Sequence, residues 1–266
     1  MTEQENPDWQ PPPPPEKIPQ AEPPQMSEAA SLGNIFIEPG RVFEDMRRKP
    51  RFILASLIIA VLVTAWGFGL YYKLGDEGTR RFMDEQMDKN PQTQNLSKAD
   101  RENAIDLQMK ITSGVRFAMP VLVFIALAIG GLLYWGGAKA FGGTGNFLHG
   151  LSVWVYSSLP PAVLSTVGSF IVLALKSVDD IDVAASQRGM LHANPSFLVD
   201  GKAMPVVATI LGTFDLFFIW GWVLAAIGLR IVFKLSSGSA WAIVLIFALV
   251  GTAFRLIGAI VSGNAN

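Results

Sequence analysis

The stretch Phe117-Ala-Met-Pro-Val-Leu-Val-Phe-Ile-Ala-Leu-Ala-Ile-Gly-Gly-Leu-Leu-Tyr-Trp-Gly-Gly-Ala138 contains no charged residue. As an α-helix it runs roughly 33 Å at 1.5 Å per residue, enough to cross a hydrocarbon core of about 30 Å. In lipid, a chain satisfies its backbone polar groups only inside a helix or a closed barrel, so an uncharged run of this length reads as a membrane-spanning helix. Four more apolar stretches are of similar length: 52–72, 147–175, 204–229 and 237–262. The expected fold is therefore all-α, a polytopic membrane bundle of about five transmembrane helices over residues 52–262.

Composition agrees. Half of the 266 residues are hydrophobic and only 16% are charged, against about 25% in a typical soluble domain. A net charge of -1 excludes the basic footprint that displaces counterions from nucleic acid. There is no cysteine, hence no disulfide or thiolate chemistry. His149 and His192 stand far apart without neighbouring ligands, so neither a metal nor a cofactor is expected.

The first apolar stretch is preceded by two segments. Residues 1–33 are rich in proline, with the run Pro11 to Pro15, and read as a disordered cytoplasmic tail of polyproline II character. This is a soluble spacer or, alternatively, a ligand for a proline-binding domain. No secretory signal is evident before the first apolar stretch, which would act as an uncleaved signal anchor. Residues 34–51 read as a juxtamembrane amphipathic helix with Pro39 in its first turn. Val42, Phe43 and Met46 share one face, and Arg41, Arg47, Arg48, Lys49 and Arg51 form a basic cluster suited to anionic lipid. That cluster favours a cytoplasmic N-terminus by the positive-inside rule. Five crossings then put the 139–146 and 230–236 turns inside, and residues 73–116, 176–203 and the C-terminus outside. Between the first two spans, Ser97 caps a helix whose apolar positions are Ala104, Leu107 and Ile111. Residues 176–203 read as a solvated loop.

Few residues suggest chemistry. The glycines at 142, 143 and 145 lack the Lys and Ser or Thr of a phosphate loop and read as a flexible turn. Ser157 and Ser158 have no His or Asp at a useful position for a hydrolase. They are placed instead to satisfy carbonyls freed by Pro160 and Pro161, which are expected to kink the third span. Small residues four apart (Ala65 and Gly69, Ala126 and Gly130, Ala208 and Gly212, Gly221 and Ala225) predict close helix packing. Asp215 and Arg255 are the two ionisable residues well inside the spans. At similar depth on antiparallel neighbours, they are expected to form an intramembrane ion pair.

Ile35-Phe-Ile-Glu-Pro39 with Val42-Phe43 and Lys49-Pro50, then Gly142-Gly-Thr-Gly-Asn-Phe147 leading to Val155-Tyr-Ser-Ser-Leu-Pro160, then Phe214-Asp-Leu-Phe-Phe-Ile-Trp220 before Ile227-Gly228, resemble the pattern of the Yip1 family in a prokaryotic member. The resemblance covers residue 34 to about 260. It implies a five-helix membrane domain and, from eukaryotic members, roles in vesicle trafficking and contact with prenylated Rab GTPases. The Asp-Leu-Tyr-Gly-Pro type motif of the eukaryotic members is absent here. The expected function is a non-enzymatic, membrane-organising scaffold in the bacterial cytoplasmic (inner) membrane. Its expected partners are anionic lipids and a membrane protein or a second copy of itself. The alternative is a small transporter or channel built on the Pro160-Pro161 break with Asp215 and Arg255.

Overall fold

The computed structural model describes residues 24–262 apart from 90–92, 94, 188 and 202. The polyproline run, with the rest of residues 1–23, lies outside the described residues. Among the described residues all regular structure is helical. Two short helices open it, α1 (Glu28–Asn34) and α2 (Pro39–Arg48). Residues 24–33, read from sequence as tail, thus belong to the fold. Ser27 caps α1 by accepting from the Ala30 amide, and Ser31 is buried.

Helices α3 (Ile53–Lys89) and α4 (Lys98–Ala140) both outrun their apolar stretches. Helix α3 bends at Gly75, whose φ of 68° and ψ of -177° suit only glycine. Beyond the bend it pairs with the first turns of α4 as an antiparallel hairpin. The hairpin has its own small core of Met83, Met87 and Ile105. Arg101 reaches Asp84 at 2.5 Å and Asp88 at 2.8 Å, and Arg80 pairs with Asp106. Ser97 caps α4 as expected. The apolar face is not the expected one, since Leu107 and Ile111 are exposed and Ile105 is buried.

Helix α5 (Phe147–Leu175) is the centre of the bundle, packed on α3, α4 and α8 (Leu216–Val232). Its start is closed by a reciprocal cap between Asn146 and His149. Helix α5 is not broken at its proline pair: it remains one helix through Pro160 and Pro161. The hydroxyls of Ser157 and Ser158 both donate to the Trp154 carbonyl, at 3.0 and 2.8 Å, rather than to the carbonyls freed by the prolines. Gly221 of α8 packs close to Pro161 and the Ser157 carbonyl, and this tertiary contact supports the proline turn.

The break falls in the next span. Helix α7 (Pro205–Gly212) is bent by 43° from α8 across residues 213–215, so the stretch read as one helix over 204–229 is two. The preceding residues include α6 (Val183–Ser186) and, though many are exposed as expected, they are anchored to the bundle. Trp66 Nε1 donates to Ser186 O at 3.1 Å, and Ser169 Oγ accepts from the Met190 and Leu191 amides. Helix α9 (Ser237–Ser262) ends the fold. Helices α3, α4, α5 and α9 are each long and apolar enough to cross a membrane, and α7 with α8 makes a fifth crossing if taken as one bent span. The alternating helices place α1, α2 and the turns at 141–146 and 233–236 at one end, and the hairpin and residues 176–204 at the other.

Candidate functional site

At the first of these ends, the apolar face of α2 is turned into the protein. Val42, Phe43 and Met46 of α2 are buried in the protein core. Phe43 lies so close to Gly228 of α8 that a Cβ there would come within 2.9 Å of its ring. Asp45, on the same turn, is 2% exposed. Its carboxylate accepts from the Gln25 and Met26 amides and faces Arg51 at 3.4 Å and Arg48 at 4.0 Å. Arg51 also donates to Ser31 Oγ at 3.2 Å. A buried carboxylate requires such compensation, and here it draws residues 25–31 onto the bundle.

The basic cluster is thereby divided. Arg51 serves Asp45, Arg41 pairs with Glu38 at 2.7 Å, and Lys49 is exposed. Arg47 and Arg48 instead line an open hollow of about 460 Å³, together with Thr144, Gly145, His149, Val232 and Lys234. No carboxylate lines it. Among the described residues, the Arg47 and Lys234 side chains form no ion pair.

Each wall of this hollow has a local cause. The α4–α5 turn uses positive φ at Gly142 and Gly145 (77° and 98°) and is pinned by the Thr144 amide donating to Phe233 O at 3.0 Å. This contact ties the turn to the end of α8. His149 Nε2 lies 3.3 Å from Arg47 O and joins the start of α5 to the end of α2. Lys234 has a φ of 55°, the one positive φ outside glycine among the described residues. The Leu235 amide closes the turn onto Arg230 O at 3.1 Å. Glycine is the low-energy residue at such a helix end, and a side chain there costs about 1–2 kcal/mol. Arg47 and Lys234 also complement the negative ends of α2 and α8. The macrodipole requires no left-handed lysine, however, and this lysine lines the hollow. Sequence reasoning found Arg47 and Arg48 but missed His149 and Lys234 as site residues. The Asn-x-x-His spacing at 146–149 was the available signal for the first. For Lys234 only its position after the span was legible.

Asp215 and Arg255 do not form the expected pair. Asp215 caps α8 by accepting from the Phe217 amide at 2.9 Å, and its other oxygen accepts from Ala193 N at 2.9 Å and Asn194 Nδ2 at 2.8 Å. Arg255 donates to Thr213 Oγ1 at 3.1 Å and lies over the Phe218 ring at 5.2 Å. The break at 213–215 accounts for the difference. It turns Asp215 into a helix cap, whose natural partners are free amides.

A family model for the Yip1 domain matches residues 33–259. The chain belongs to the Yip1 family. It is similar to Membrane protein YknW of Bacillus subtilis (strain 168), 26% identical over 240 residues that cover 90% of this chain and 94% of that protein. No solved structure matches. The Yip1 match begins at Gly33, so α2 lies inside the matched region. Its burial against α5 and α8 is that of an integral part of the membrane domain, not of an appended surface helix.

Proposed function

We propose that this Yip1-family chain is a non-enzymatic, membrane-organising scaffold that holds an anionic lipid headgroup in the hollow bounded by α2, α5 and the α8–α9 turn. The supporting observation is the acid-free lining, with Arg47 and Lys234 lacking an ion pair beside Arg48. A phosphodiester supplies the missing negative charge, and each basic side chain near an anionic surface contributes about 1 kcal/mol. In this reading the hollow and the N-terminus face the cytoplasm of a bacterial cell, across the inner membrane from the α3–α4 hairpin and the C-terminus. A transport reading has less support. The proline pair leaves α5 continuous, and both Asp215 oxygens are occupied by structural donors.

The test uses purified full-length protein in nanodiscs of phosphatidylglycerol and phosphatidylcholine, with retained lipid read by native mass spectrometry. Phosphatidylglycerol is expected to be retained preferentially. In the double variant Arg47→Gln/Lys234→Gln that preference should fall by on the order of thirtyfold, equivalent to two such charges. Equal retention of both lipids by the unaltered protein would sink the proposal. Solute flux in liposomes that disappears on changing Asp215 would favour transport instead.

A further inference from the structure

A second hollow lies at the opposite end, where α3 bends. Tyr71, Asp76, Lys110, Ser113 and Arg116 line it around a volume of about 220 Å³, room for about seven waters. Its depth follows from the sequence. Tyr71 is at the end of the first apolar stretch, and Arg116 immediately precedes Phe117, where the second begins. The two face each other: the Arg116 guanidinium sits 3.6 Å from the centre of the Tyr71 ring. Tyrosine and arginine at this position mark the headgroup level of a membrane.

The groups around this hollow carry both signs. Tyr71 Oη donates to Asp76 Oδ1, and among the described residues Asp76 forms no ion pair. The left-handed conformation at Gly75 is the feature that turns the chain so that Asp76 faces back toward the membrane boundary. Lys110 and Arg116 likewise form no ion pair among the described residues. Arg116 lies over the Tyr71 ring, and a guanidinium carries five N–H donors, more than the one phenol beside it can engage.

We infer that this hollow binds a phospholipid headgroup that carries both a phosphate and a primary ammonium, the phosphoethanolamine type. The phosphate meets Lys110 and Arg116, and the ammonium donates to Asp76 Oδ2. Each alternative headgroup leaves one charge unmatched. A phosphoglycerol head brings no cation to Asp76. A choline head brings a cation with no N–H to donate, and the Tyr71 face that would attract a quaternary ammonium is already covered by Arg116. This site is independent of the anion hollow at the other end, both in residues and in the lipid it selects.

The experiment offers delipidated full-length protein an equimolar mixture of phosphatidylethanolamine, phosphatidylcholine and phosphatidylglycerol, and reads retained lipid by native mass spectrometry. Phosphatidylethanolamine is expected to exceed phosphatidylcholine by about tenfold, the effect of one hydrogen bond to a charged group. Asp76→Asn should bring that ratio near unity, and Lys110→Gln should lower retention of both lipids together. The double variant Arg47→Gln/Lys234→Gln should leave the ratio unchanged, and a loss there would assign the amine lipid to the other hollow and overturn the inference. If Asp76→Asn does not fold, the unaltered protein still decides, because no preference for phosphatidylethanolamine over phosphatidylcholine overturns the inference. Soluble O-phosphoethanolamine, added separately, separates the sources. Binding of that compound with no lipid retained would assign a free amino phosphate and overturn the lipid, whereas retained lipid that it fails to displace supports it.

Discussion

A carboxylate as buried as Asp45 persists only where fixed donors replace its water. Two backbone amides and two arginines fill that role, so the residue holds the start of the fold to α2. Asp45→Asn is expected to destabilise the protein by about 3–5 kcal/mol, because it leaves Arg51 buried without its counter-charge. Adding Arg51→Gln should recover part of the loss. Thermal unfolding in detergent measures both, and limited proteolysis near residues 24–34 should accelerate in the single variant. The sequence marks Asp45 only as one acid among several in a basic helix, since its partners at 25, 26 and 51 are brought to it by the chain's turn. Asp215 and Arg255 show the complementary case. Their isolation in apolar sequence was legible, whereas their partners depend on a break that the hydropathy of 204–229 conceals. Because they share no ion pair, Asp215→Asn and Arg255→Gln should give additive losses, within about 0.5 kcal/mol in a double-mutant cycle. A coupling well above that would restore the pair.

At the scale of elements, the five apolar stretches were legible because crossing a membrane demands length and apolarity, both of which are local properties. Helix shape was not, because it depends on neighbours. Two adjacent prolines leave α5 whole, while 213–215, with no proline, breaks the next span. Helix contacts behave similarly. Gly130 does sit in a close contact, but against the Trp154 ring, and the nearest backbone approach involves Gly131 and Gly150, which the four-residue spacing does not select. A Cβ on Gly131 would lie 2.7 Å from Leu151 Cα, and one on Gly150 would lie 2.5 Å from Gly131 O. Since backbone cannot yield as a side-chain tip does, Gly131→Ala is expected to cost about 1–3 kcal/mol. Gly136, on the same helix, has open space around its Cα, so Gly136→Ala should cost nothing and gain about 0.5–1 kcal/mol from helix propensity. Melting temperatures of the two variants in one detergent make the comparison, and equal shifts would mean that α4 and α5 do not approach at that point.

For the whole molecule, the distribution of paired charge bears on orientation more directly than a count of Lys and Arg. The segment 73–116 holds eight basic and eight acidic residues, and the structure joins several of them, Arg80 to Asp106 and Arg101 to Asp84 and Asp88, with Arg81 reaching Asp179 in the next loop. At the other end, Arg47 and Lys234 form no ion pair among the described residues, and Lys139 and Arg230 stand near the same boundary. Unneutralised cations close to the spans resist translocation; Lys110 and Arg116 at the hairpin end have Asp76 beside them, whereas no carboxylate lines the hollow of Arg47, Arg48 and Lys234, so the α2 end is expected to remain in the cytoplasm. A chain without cysteine accepts single reporters with no background. Ala29, Glu102, Ser177 and Gly238 are all exposed. In intact cells, cysteine at 102 or 177 should react with a membrane-impermeant maleimide, and cysteine at 29 or 238 should react only after permeabilisation. The opposite pattern would invert the protein and place the anion hollow outside the cell. Labelling of 29 and 238 on different sides would mean that α7 and α8 re-enter from one face, so that the chain crosses four times rather than five.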